Sequence, residues 1–582
     1  MAHLSVDQDG FLAVSCDYEQ REIVKEIGGR WDSLAKCWIV SLTISNVEYL
    51  ISRFDDLTIS SNLERKVAER KEREEKLMRL RGMAKADVPV RLKIAGIKGT
   101  LYNYQKLGVM FSLANGEGVL LADQMGLGKS KQAIATAMCL KEKGKLSKVL
   151  VVVPSSLKFN WPLEIEKWTD EKYVIIDGSP DERISQWLRD DVMFYIVNFE
   201  LLQEDLFGGK KFKERIDETE SHKNDRLRKT ANAQRRARIL TPIRLRKWDM
   251  IVVDEAQGLR HHSSARTRNI KGLMAHFRMA LTGTPLDGRL EELHSVMEFV
   301  QPGLLESKTR FLQKHATTDF WGNVTGYKRV AEVTRKIAPF FIRRLKEDVL
   351  PDLPDKIYEN RVIALSSAEM AIYKELASKG HKSTEDAEAM VCIIRCKQFC
   401  DDPRLIGESI ESSKMLDLKN VLDEIIVQNG HKVLLFSQYA EMVKLLMPML
   451  DSMGLKYFCL WGETPKRERA DMQEQFNQDK SIDLMIGTEA MSLGLNLTGA
   501  NYVVLYDQWW SNTIVDQAID RAHRIGQKNT VTIISFICKD TIEERIIHVL
   551  KAKANITSEL LGDDHDEMMI RKIGTKQIVA LL

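Results

Sequence analysis

Residues 123–130 read DQMGLGKS, directly after the apolar run VLLA at 119–122 and directly before the helical pattern KQAIATAMCL. A buried strand that runs into a glycine-rich turn and then a helix is typical of a phosphate-binding loop, because the glycines let backbone N–H groups close around phosphate oxygens. The pattern predicts that Lys129 reaches the β- and γ-phosphates of ATP and that Ser130 holds Mg²⁺. Generic phosphate-binding loops carry glycine where Asp123 stands, so a chance match to the motif is the alternative if this segment is taken alone.

Two adjacent carboxylates follow a second apolar strand. In WDMIVVDEAQ at 248–257, the strand ends at Val253 and continues with Asp254 and Glu255. Nucleotide hydrolysis needs one carboxylate to hold Mg²⁺ and another to orient and deprotonate the attacking water, so we assign Asp254 to the metal and Glu255 to the water. Taken alone, this segment also fits an ordinary charged strand end. The order of the two motifs along the chain favours an ATP site.

The order of these and further motifs resembles that of the SWI/SNF-type ATPases, the double-stranded-DNA translocases within helicase superfamily two. This family carries aspartate at the first position of its own loop, which removes the objection raised by Asp123. The resemblance covers about residues 98–555. The segments that carry it are YNYQKLGVMF (102–111), DQMGLGKS (123–130), VVVPSSLKFNW (151–161), DEAQ (254–257), LTGTPL (281–286), FIRRLKEDVLPDLPDK (341–356), KQFCDDP (397–403), VLLFSQY (433–439), GTEAMSLGLNLTGANYVVLYD (487–507) and DQAIDRAHRIGQ (516–527).

The resemblance implies an α/β fold with two RecA-like doubly wound lobes, helical insertions and ATP in the cleft between the lobes. The second lobe is expected to present Arg521 and Arg524, which we place on one helical face, to the γ-phosphate, with Gln517 lining the same cleft. Planar, permanently charged guanidinium groups neutralise charge on the transferred phosphoryl group. Surface ion pairing is the alternative for these arginines. The nucleotide-binding residues expected in the first lobe are Gln105, Asp123, Gln124, Met125, Gly126, Leu127, Gly128, Lys129 and Ser130.

The same resemblance assigns residues to DNA contact and to coupling. Small hydroxyl and amide donors suit phosphate oxygens, which position DNA without reading its sequence, so we expect salt-dependent and nearly sequence-independent binding. Gln257 stands where the family usually carries histidine; glutamine keeps the hydrogen bonds but does not titrate near neutrality, and ATP turnover is expected to survive. The residues expected to face DNA are Ser155, Ser156, Thr284, Thr488 and Asn496, and those expected to couple hydrolysis to movement are Gln257, Thr282, Gly283 and Thr284.

Length and composition fit a multidomain globular protein. The chain has 582 residues, of which 44% are hydrophobic and 29% charged. No apolar run approaches the roughly 18 residues of a membrane span, and the segment MAHLSVDQDG lacks the features of a secretory signal. We therefore expect a cytoplasmic protein of a bacterium or a viral host, or a nuclear one in a eukaryote. Because 86 basic residues nearly balance 83 acidic ones, giving a net charge of +3, any DNA site must come from local clusters.

The eight cysteines indicate a reducing compartment, because none forms a CxxC motif and their scatter does not resemble a disulfide framework. Cys392, Cys396 and Cys400 are spaced four apart and predict one stripe on a helix. A buried apolar face is the favoured interpretation of that stripe, and a metal site is the alternative.

Residues 1–60 are predicted to form a small α+β module with the order strand, helix, strand, helix. Its string GGRWDSLAKCWIV resembles the HARP-type modules found beside motors of the annealing-helicase kind. That resemblance implies a module that reads DNA structure. The alternative is that Trp31 and Trp38 only fill a small core.

We divide the remaining chain into a charged helical linker (61–90), a first lobe (91–340), a helical bridge (341–420), a second lobe (421–555) and a tail (556–582). An insert at 207–247 holds 14 basic and five acidic residues, an excess of nine positive charges. Its run RLRKTANAQRRARIL would place Arg235 and Arg236 along a DNA backbone. A solvated loop without a partner is the alternative.

We expect a DNA-stimulated ATPase, acting as a monomeric motor, that translocates on double-stranded or branched DNA and remodels DNA structures or protein–DNA complexes. Fork remodelling and strand annealing are among the possible outcomes of such movement. The alternatives are a strand-separating helicase and a nucleotide-gated DNA-binding scaffold with a weakly active motor; complete Lys129, Glu255, Arg521 and Arg524 argue against the scaffold. No bromodomain-, chromodomain- or zinc-finger-like segment follows RIGQ, so we expect a compact genome-maintenance enzyme rather than a nucleosome-directed one.

Overall fold

The chain divides into two compact units in the computed structural model. Unit 1 comprises Met1–Thr318, Gly326–Val349 and His565–Met569, and unit 2 comprises Asp319–Thr325, Leu350–Asp564 and Ile570–Leu582. The structure describes residues 2–7, 11–33, 35–40, 42–84, 89–155, 157–208, 232, 234–235, 238–283, 289–319, 324–382, 386–462, 464–492, 495–548 and 570–571.

The N-terminal part of unit 1 is a five-stranded sheet with two helices. Its strands are β1 (Ala2–Val6), β2 (Leu12–Ser15), β3 (Arg30–Asp32), β4 (Cys37–Val40) and β5 (Leu57–Ile59), and its helices are α1 (Arg21–Glu26) and α2 (Ile44–Arg53). The strand order is β3-β4-β2-β1-β5, antiparallel except for the parallel pair β1–β5. Leu4, Val14 and Leu50 are among the wholly buried side chains of its core. The predicted strand, helix, strand and helix are present as β2, α1, β4 and α2, and the sheet also contains three strands that were not predicted, β1, β3 and β5.

Helix α3 (Ser61–Ala84) follows this sheet and joins two hydrophobic cores. Leu63, in its first turn, is buried in the N-terminal core. Leu77 and Leu80, four turns later, are buried in the core of the main sheet of unit 1. The predicted charged helix is therefore present, and its few leucines anchor it at both ends.

The main sheet of unit 1 has seven parallel strands. Their order is β14-β6-β11-β10-β7-β9-β8. Strands such as VLVVV at 149–153 are buried throughout rather than alternating, as expected when helices cover both faces of a parallel sheet. The strands are β6 (Gly118–Leu121), β7 (Val149–Val153), β8 (Tyr173–Ile175), β9 (Phe194–Asn198), β10 (Trp248–Val253), β11 (Ala275–Leu281) and β14 (Phe341–Ile342), with the short strands β12 (Ala316–Thr318) and β13 (Val324–Tyr327) outside this sheet.

Helices lie between most consecutive strands of this part of the chain. They are α4 (Asn103–Asn115), α5 (Lys129–Glu142), α6 (Asn160–Trp168), α7 (Pro180–Trp187), α8 (Phe199–Phe207), α9 (Thr241–Leu245), α10 (Ala265–Lys271), α11 (Leu290–Val300), α12 (Lys308–His315), α13 (Val330–Ile337) and α14 (Lys346–Val349). Short 3₁₀ segments span Tyr18–Gln20, Ala256–Leu259 and Ala338–Phe340.

Unit 2 contains a second parallel sheet, of six strands, in the order β15-β20-β19-β16-β18-β17. Both units thus have the parallel α/β architecture of a RecA-like lobe, which confirms the predicted fold class. The strands are β15 (Lys356–Ile363), β16 (Val433–Phe436), β17 (Tyr457–Leu460), β18 (Leu484–Gly487), β19 (Tyr502–Leu505) and β20 (Val531–Cys538), and a further strand, β21, spans Ile570–Arg571. The helices are α15 (Ser367–Lys382), α16 (Asp386–Asp401), α17 (Ser413–Leu422), α18 (Ala440–Ser452), α19 (Lys466–Gln478) and α20 (Asn512–Ala522), with a π-helical segment at Asp423–Gln428 and 3₁₀ segments at Pro403–Ile406 and Glu489–Ser492.

The predicted bridge at 341–420 is divided between the two units. Strand β14 pairs with β6 and completes the sheet of unit 1, so the first unit extends to Val349 rather than to residue 340. Strand β15 pairs with β20 along eight residues and forms the edge of the sheet of unit 2. The sequence did not predict this division because β14 and β15 pair with strands that lie far away in sequence, β6 and β20.

The cysteine stripe is a helix face, as predicted. Helix α16 carries Cys392, Cys396 and Cys400, of which the last two are buried in an apolar cluster. Within the described ranges, no group of three or more His, Cys, Asp or Glu side chains is arranged to hold a metal ion. None of the helices in those ranges is long and apolar enough to cross a membrane.

Candidate nucleotide site

Four loops of unit 1 meet at one edge of its main sheet. Strands β6, β11, β10 and β7 are consecutive neighbours, and the carboxyl ends of parallel strands share one edge. The residues that follow them include the phosphate loop after β6, Thr282 after β11, Asp254 after β10 and Ser155 after β7. Unit 1 therefore brings together side chains that lie more than a hundred residues apart in sequence.

The phosphate loop has the backbone that its glycines predict. Gly126 and Gly128 have φ values of +84° and +74°, in the left-handed region that favours glycine. Helix α5 begins at Lys129, so the free N–H groups of its first turn adjoin the loop. The Lys129 ammonium donates to the backbone carbonyls of Asp123 at 2.8 Å and Gln124 at 3.4 Å. Lys129 and Ser130 are half-buried at the helix start.

Gln105 lies against the backbone of this loop. Its Nε2 donates to the carbonyl of Leu127 at 3.1 Å, and its Oε1 accepts from the backbone N–H of Tyr102 at 3.2 Å. The hydroxyl of Tyr104 donates to the same Leu127 carbonyl at 3.2 Å. The segment that contains Gln105, a residue expected to bind the nucleotide, therefore also supports the phosphate loop.

Asp254 is buried and held by two hydrogen bonds. The indole Nε1 of Trp161 donates to Oδ2 at 2.9 Å, and the backbone N–H of Glu255 donates to Oδ1 at 2.9 Å. Burial and, to a lesser extent, the adjacent Glu255 raise the pKa of Asp254 to about 6, although the Trp161 hydrogen bond and the positive charge of Lys129 act in the opposite direction. The carboxylate thus has a fixed orientation and lies within the electrostatic reach of the phosphate-loop lysine.

Glu255 adopts an unusual backbone conformation. Its φ of +49° and ψ of +57° lie in the left-handed region. For a residue other than glycine, this conformation costs about 1–2 kcal/mol and tends to occur at functional sites. The turn directs the chain from β10 into the 3₁₀ segment that contains Gln257.

Gln257 joins the ends of β10 and β11. Its Nε2 donates to Oε2 of Glu255 at 2.7 Å, and its Oε1 accepts from the hydroxyl of Thr282 at 2.9 Å. Gly283, which follows Thr282, packs closely on the phosphate loop. A Cβ at this position would lie 2.5 Å from Cγ of Met125. Three of the residues predicted to act in coupling are therefore assembled beside the loop, and the fourth, Thr284, lies outside the described residues.

The predicted arginines lie in unit 2, near the end of α20. Arg521 donates from Nε to the carbonyl of Gln517 at 3.1 Å and from Nη1 to the carbonyl of Leu495 at 3.1 Å. The helix ends at Ala522, so the prediction that Arg521 and Arg524 share one helical face is wrong. The helix ends there because the chain turns at His523, whose ring nitrogen Nε2 bonds to the carbonyl of Pro354 at 2.7 Å.

The residues predicted to contact DNA are divided between the two units. In unit 1, Ser155 and Arg235 are exposed. In unit 2, Thr488 is half-buried after β18, and Oδ1 of Asn496 is buried without a hydrogen-bond partner. Ser156 and Arg236 lie outside the described residues, as do residues 209–231 of the basic insert.

Sequence reasoning missed two side chains that hold the site. Trp161 binds Asp254, and Arg344 donates from Nε to Oδ1 of Asp123 at 2.8 Å. A signal existed for the first, since a tryptophan within an apolar helical pattern needs a partner for its buried N–H. A weaker signal existed for Arg344. It lies two residues after the apolar pair Phe341–Ile342, so its backbone is expected to lie close to the core.

Sequence reasoning also missed a buried ionic network at the carboxyl edge of the sheet of unit 2. The Lys414 ammonium donates to Asp401 at 3.0 Å and to Glu543 at 2.6 Å, and all three side chains are wholly buried. Nearby, Asp507 accepts from the Ser437 hydroxyl at 2.6 Å. These bonds join α16, α17 and the strand ends into one structure.

Two family models match the chain. The SNF2-related domain matches residues 102–405, which is more than half of the 582 residues, and the helicase conserved C-terminal domain matches residues 414–526. Together with two parallel α/β units, these matches define a two-lobe protein of helicase superfamily two. Within that class, the chain belongs to the SNF2-related family, which confirms the resemblance stated from the sequence motifs.

Individual relatives are longer than this chain. It is similar to a Mycoplasma genitalium protein described as an uncharacterized ATP-dependent helicase, with 30% identity over 478 residues, covering 80% of this chain and 42% of the relative. It is also similar to the human SWI/SNF-related matrix-associated actin-dependent regulator of chromatin subfamily A member 1, with 28% identity over 521 residues, covering 84% of this chain and 46% of the relative. The chain thus spans less than half the length of these two relatives.

One solved structure with a similar sequence is the Sulfolobus solfataricus SWI2/SNF2 ATPase core in complex with dsDNA. The two chains are 28% identical, and the match covers 81% of this chain and 95% of the other, with a TM-score of 0.39.

Proposed function

We propose that the chain is a DNA-stimulated ATPase that translocates on double-stranded DNA and thereby remodels DNA structures or protein–DNA complexes. The observation that carries the proposal is the assembly of Lys129, Asp254 and the Glu255–Gln257–Thr282 chain at one edge of a parallel sheet. Family membership supports it, since the Mycoplasma relative is described as an ATP-dependent helicase.

In this proposal, the phosphate loop binds ATP and Glu255 activates the attacking water. The N–H groups around Gly126 and Gly128, the N-terminus of α5 and the Lys129 ammonium bind the phosphates. Glu255 accepts the proton of the water, and the amide of Gln257 holds its carboxylate in place through the 2.7 Å hydrogen bond. Since Gln257 also binds Thr282, a change at the water-activating residue is transmitted to the end of β11.

The residues present fit Mg²⁺. A carboxylate and a hydroxyl are hard oxygen ligands, and Mg²⁺ in nucleotide sites is bound by one or two carboxylates together with phosphate oxygens. The Asp254 carboxylate has a fixed orientation, and its neighbour Glu255 adds negative charge that a cation offsets. We propose that Asp254 and Ser130 hold the ion. When bound, Mg²⁺ neutralises charge that develops on the phosphates.

We assign Arg521 and Arg524 to the same reaction, where they stabilise negative charge on the transferred phosphoryl group. The support in unit 2 is the fixed guanidinium of Arg521, which two backbone carbonyls hold at 3.1 Å each. Gln517 supplies one of these carbonyls from the preceding helical turn.

We propose that the DNA contacts are to phosphate oxygens and are independent of sequence. Exposed Ser155 at the carboxyl edge of unit 1 and exposed Arg235 support this view, as donors of this kind position a duplex without reading its bases. Thr488 and Asn496 are proposed to act similarly from unit 2.

The test is the rate of ATP hydrolysis with duplex, single-stranded and forked DNA, compared at matched salt for the parent chain and Lys129→Ala. We expect stimulation by duplex DNA that falls as salt rises, and no turnover by the variant. Absence of stimulation by any DNA would instead support a nucleotide-gated scaffold. ATP-dependent separation of a labelled forked duplex would support a strand-separating helicase.

A second proposal concerns the N-terminal sheet. Trp31 and Trp38 pair across β3 and β4 with ring centroids 5.5 Å apart at 65°, and Trp38 packs against the core. Trp31, however, is 54% exposed, so it does not simply fill a core. We propose that its exposed face stacks on an unpaired DNA base and directs the motor to forked or partly single-stranded DNA.

A further inference from the structure

Asp123 stands where generic phosphate-binding loops carry glycine, and a buried arginine binds its carboxylate. Arg344 donates from Nε to Oδ1 of Asp123 at 2.8 Å and from a terminal nitrogen to Oδ2. Both side chains are wholly buried. Since an unpaired charge of either sign is costly in a protein interior, each of these two residues depends on the other.

The same guanidinium reaches two helices that flank the loop. It donates to Oε1 of Gln132 at 2.8 Å and to the backbone carbonyl of Tyr104. Gln132 lies one turn after the start of α5, and its Nε2 donates to Oδ2 of Asp123 at 2.9 Å. Arg344, Asp123 and Gln132 therefore form a closed set of hydrogen bonds, which we call the loop anchor.

The loop anchor requires a glycine on α4. A Cβ at Gly108 would lie 2.0 Å from Oε1 of Gln132 and 2.8 Å from Nη2 of Arg344. The helix thus leaves space for the guanidinium at this position.

The backbone that carries Arg344 runs beside the start of the loop. Ala122 donates its N–H to the carbonyl of Ile342 at 2.8 Å, and Gln124 donates to the carbonyl of Arg344 at 2.9 Å. The N–H of Lys346 donates to Oε1 of Gln124 at 2.7 Å. Backbone and side-chain hydrogen bonds therefore join the first residues of the loop to the segment 342–346. This segment lies close to Val349, the last residue of this part of unit 1.

Asp123 is held from two sides. Its side chain binds Arg344, and its backbone carbonyl accepts from the Lys129 ammonium at 2.8 Å. A displacement of the Asp123 backbone therefore disturbs both contacts, because it moves the carboxylate that Arg344 binds and the carbonyl that Lys129 binds. The anchor thus determines where the lysine and the first turn of α5 face the phosphates.

We propose that Arg344 is a positioning residue for the phosphate loop, acting through Asp123 and Gln132. The inference rests on the proposed nucleotide site and extends it to a residue 221 positions away in sequence. A glycine at this position has no side chain to bind an arginine, whereas here a buried side-chain pair adds to the backbone bonds that hold the loop.

The test measures binding of a fluorescent ADP derivative and thermal unfolding of the full chain. Arg344→Lys keeps the charge but loses the planar fork, and Asp123→Asn/Arg344→Met removes both charges without leaving one unpaired. We expect both proteins to bind ADP about 10- to 100-fold more weakly, because small displacements of binding groups have effects of this size.

A matched control exists in the same unit. Arg183 and Asp205 form another buried bidentate pair, with Nε of Arg183 at 2.9 Å from Oδ2, on helices α7 and α8. Arg183→Lys is expected to lower the unfolding midpoint as Arg344→Lys does, and to leave ADP affinity unchanged.

Parental ADP affinity in both Arg344→Lys and the double variant would overturn the inference while leaving the nucleotide site intact. If Arg344→Lys fails to fold, the ADP affinity of Asp123→Asn/Arg344→Met alone tests the inference. Failure of the parent chain to bind ADP, or parental affinity in Lys129→Ala, would overturn the nucleotide site and this inference together.

Discussion

The indole N–H of Trp161 donates a 2.9 Å hydrogen bond to Oδ2 of Asp254. Trp161 lies on α6 and is buried in the core of the main sheet, whereas Asp254 directly follows β10. The core therefore controls the direction of the carboxylate that is proposed to hold Mg²⁺.

Trp161→Phe keeps a buried aromatic ring, although a smaller one, and removes the N–H donor. We expect a higher Mg²⁺ concentration for half-maximal ATP turnover, because the carboxylate loses one of its two fixed partners. The unfolding free energy should fall by about 1–3 kcal/mol, the usual cost of leaving a buried acceptor unpaired. A Mg²⁺ titration of ATPase activity and urea unfolding measure the two effects. Trp168→Phe, which removes a 2.7 Å bond to Glu164 elsewhere, is the control and should leave the Mg²⁺ dependence unchanged.

Glu255→Gln is nearly isosteric and removes only the base. Turnover is expected to fall at least about 100-fold, the contribution typical of a positioned proton acceptor. ATP should still bind, since the phosphate loop and Asp254 are unchanged. Single-turnover hydrolysis and nucleotide binding, measured on the same preparation, distinguish the two steps. A turnover rate close to that of the parent would remove Glu255 from its assigned role.

Arg521→Lys keeps a positive charge and loses the planar fork. Hydrolysis at saturating ATP is expected to fall by about two decades or more, as arginine fingers show, with a much smaller change in ATP affinity. Measurement of kcat and of ATP binding tests this. A variant that binds ATP poorly but hydrolyses it normally at saturation would show that Arg521 acts in ground-state binding instead.

Trp31→Ala tests the proposed stacking face in the full chain. Because Trp31 is 54% exposed, its removal should change stability little, while stacking on a base is worth about 1–3 kcal/mol. The preference for forked over duplex DNA should therefore fall by about 5- to 150-fold in affinity. Tyr18→Ala, at a side chain that is 76% exposed in the same sheet domain, is the control. Equal fork-to-duplex ratios in the parent and Trp31→Ala would leave the sheet without a structure-reading role.

Lys414→Met tests the buried network of unit 2. It leaves Asp401 and Glu543 buried without their shared cation, so the free energy of unfolding should fall by about 3–5 kcal/mol. Lys444→Met removes an exposed ion pair with Glu441 and should cost about 0–1 kcal/mol. Denaturant unfolding of the three proteins gives the comparison. A loss in Lys414→Met as small as that in the control would show that the network does not stabilise the unit.

Local patterns predicted much of the site. A strand followed by a glycine-rich turn or by two carboxylates is encoded within ten residues, and parallel pairing then brings these ends together, as at Lys129 and Asp254. The partners from distant segments were not predictable in this way. Arg344 pairs with Asp123 across 221 residues, and only the tertiary fold determines which arginine becomes buried.

The end of α20 shows the same limit. A helical spacing of three predicted one face for Arg521 and Arg524, but the helix ends between them at Ala522. The ring of His523 bonds to Pro354, a residue 169 positions away, and no local pattern contains that contact. Likewise, the sequence could not decide whether Trp31 is exposed, because this depends on how far the helices cover its sheet.

Helix α3 determines where the chain can be shortened. A protein that begins near residue 87 would lack Leu77 and Leu80, whose side chains fill part of the main core, and it would expose that apolar surface to water. A protein that begins at Ser61 would retain both leucines and lose only the N-terminal sheet, leaving Leu63 exposed. The excision point that separates the motor from its N-terminal sheet without damage to the ATP site therefore lies before this helix, not after it.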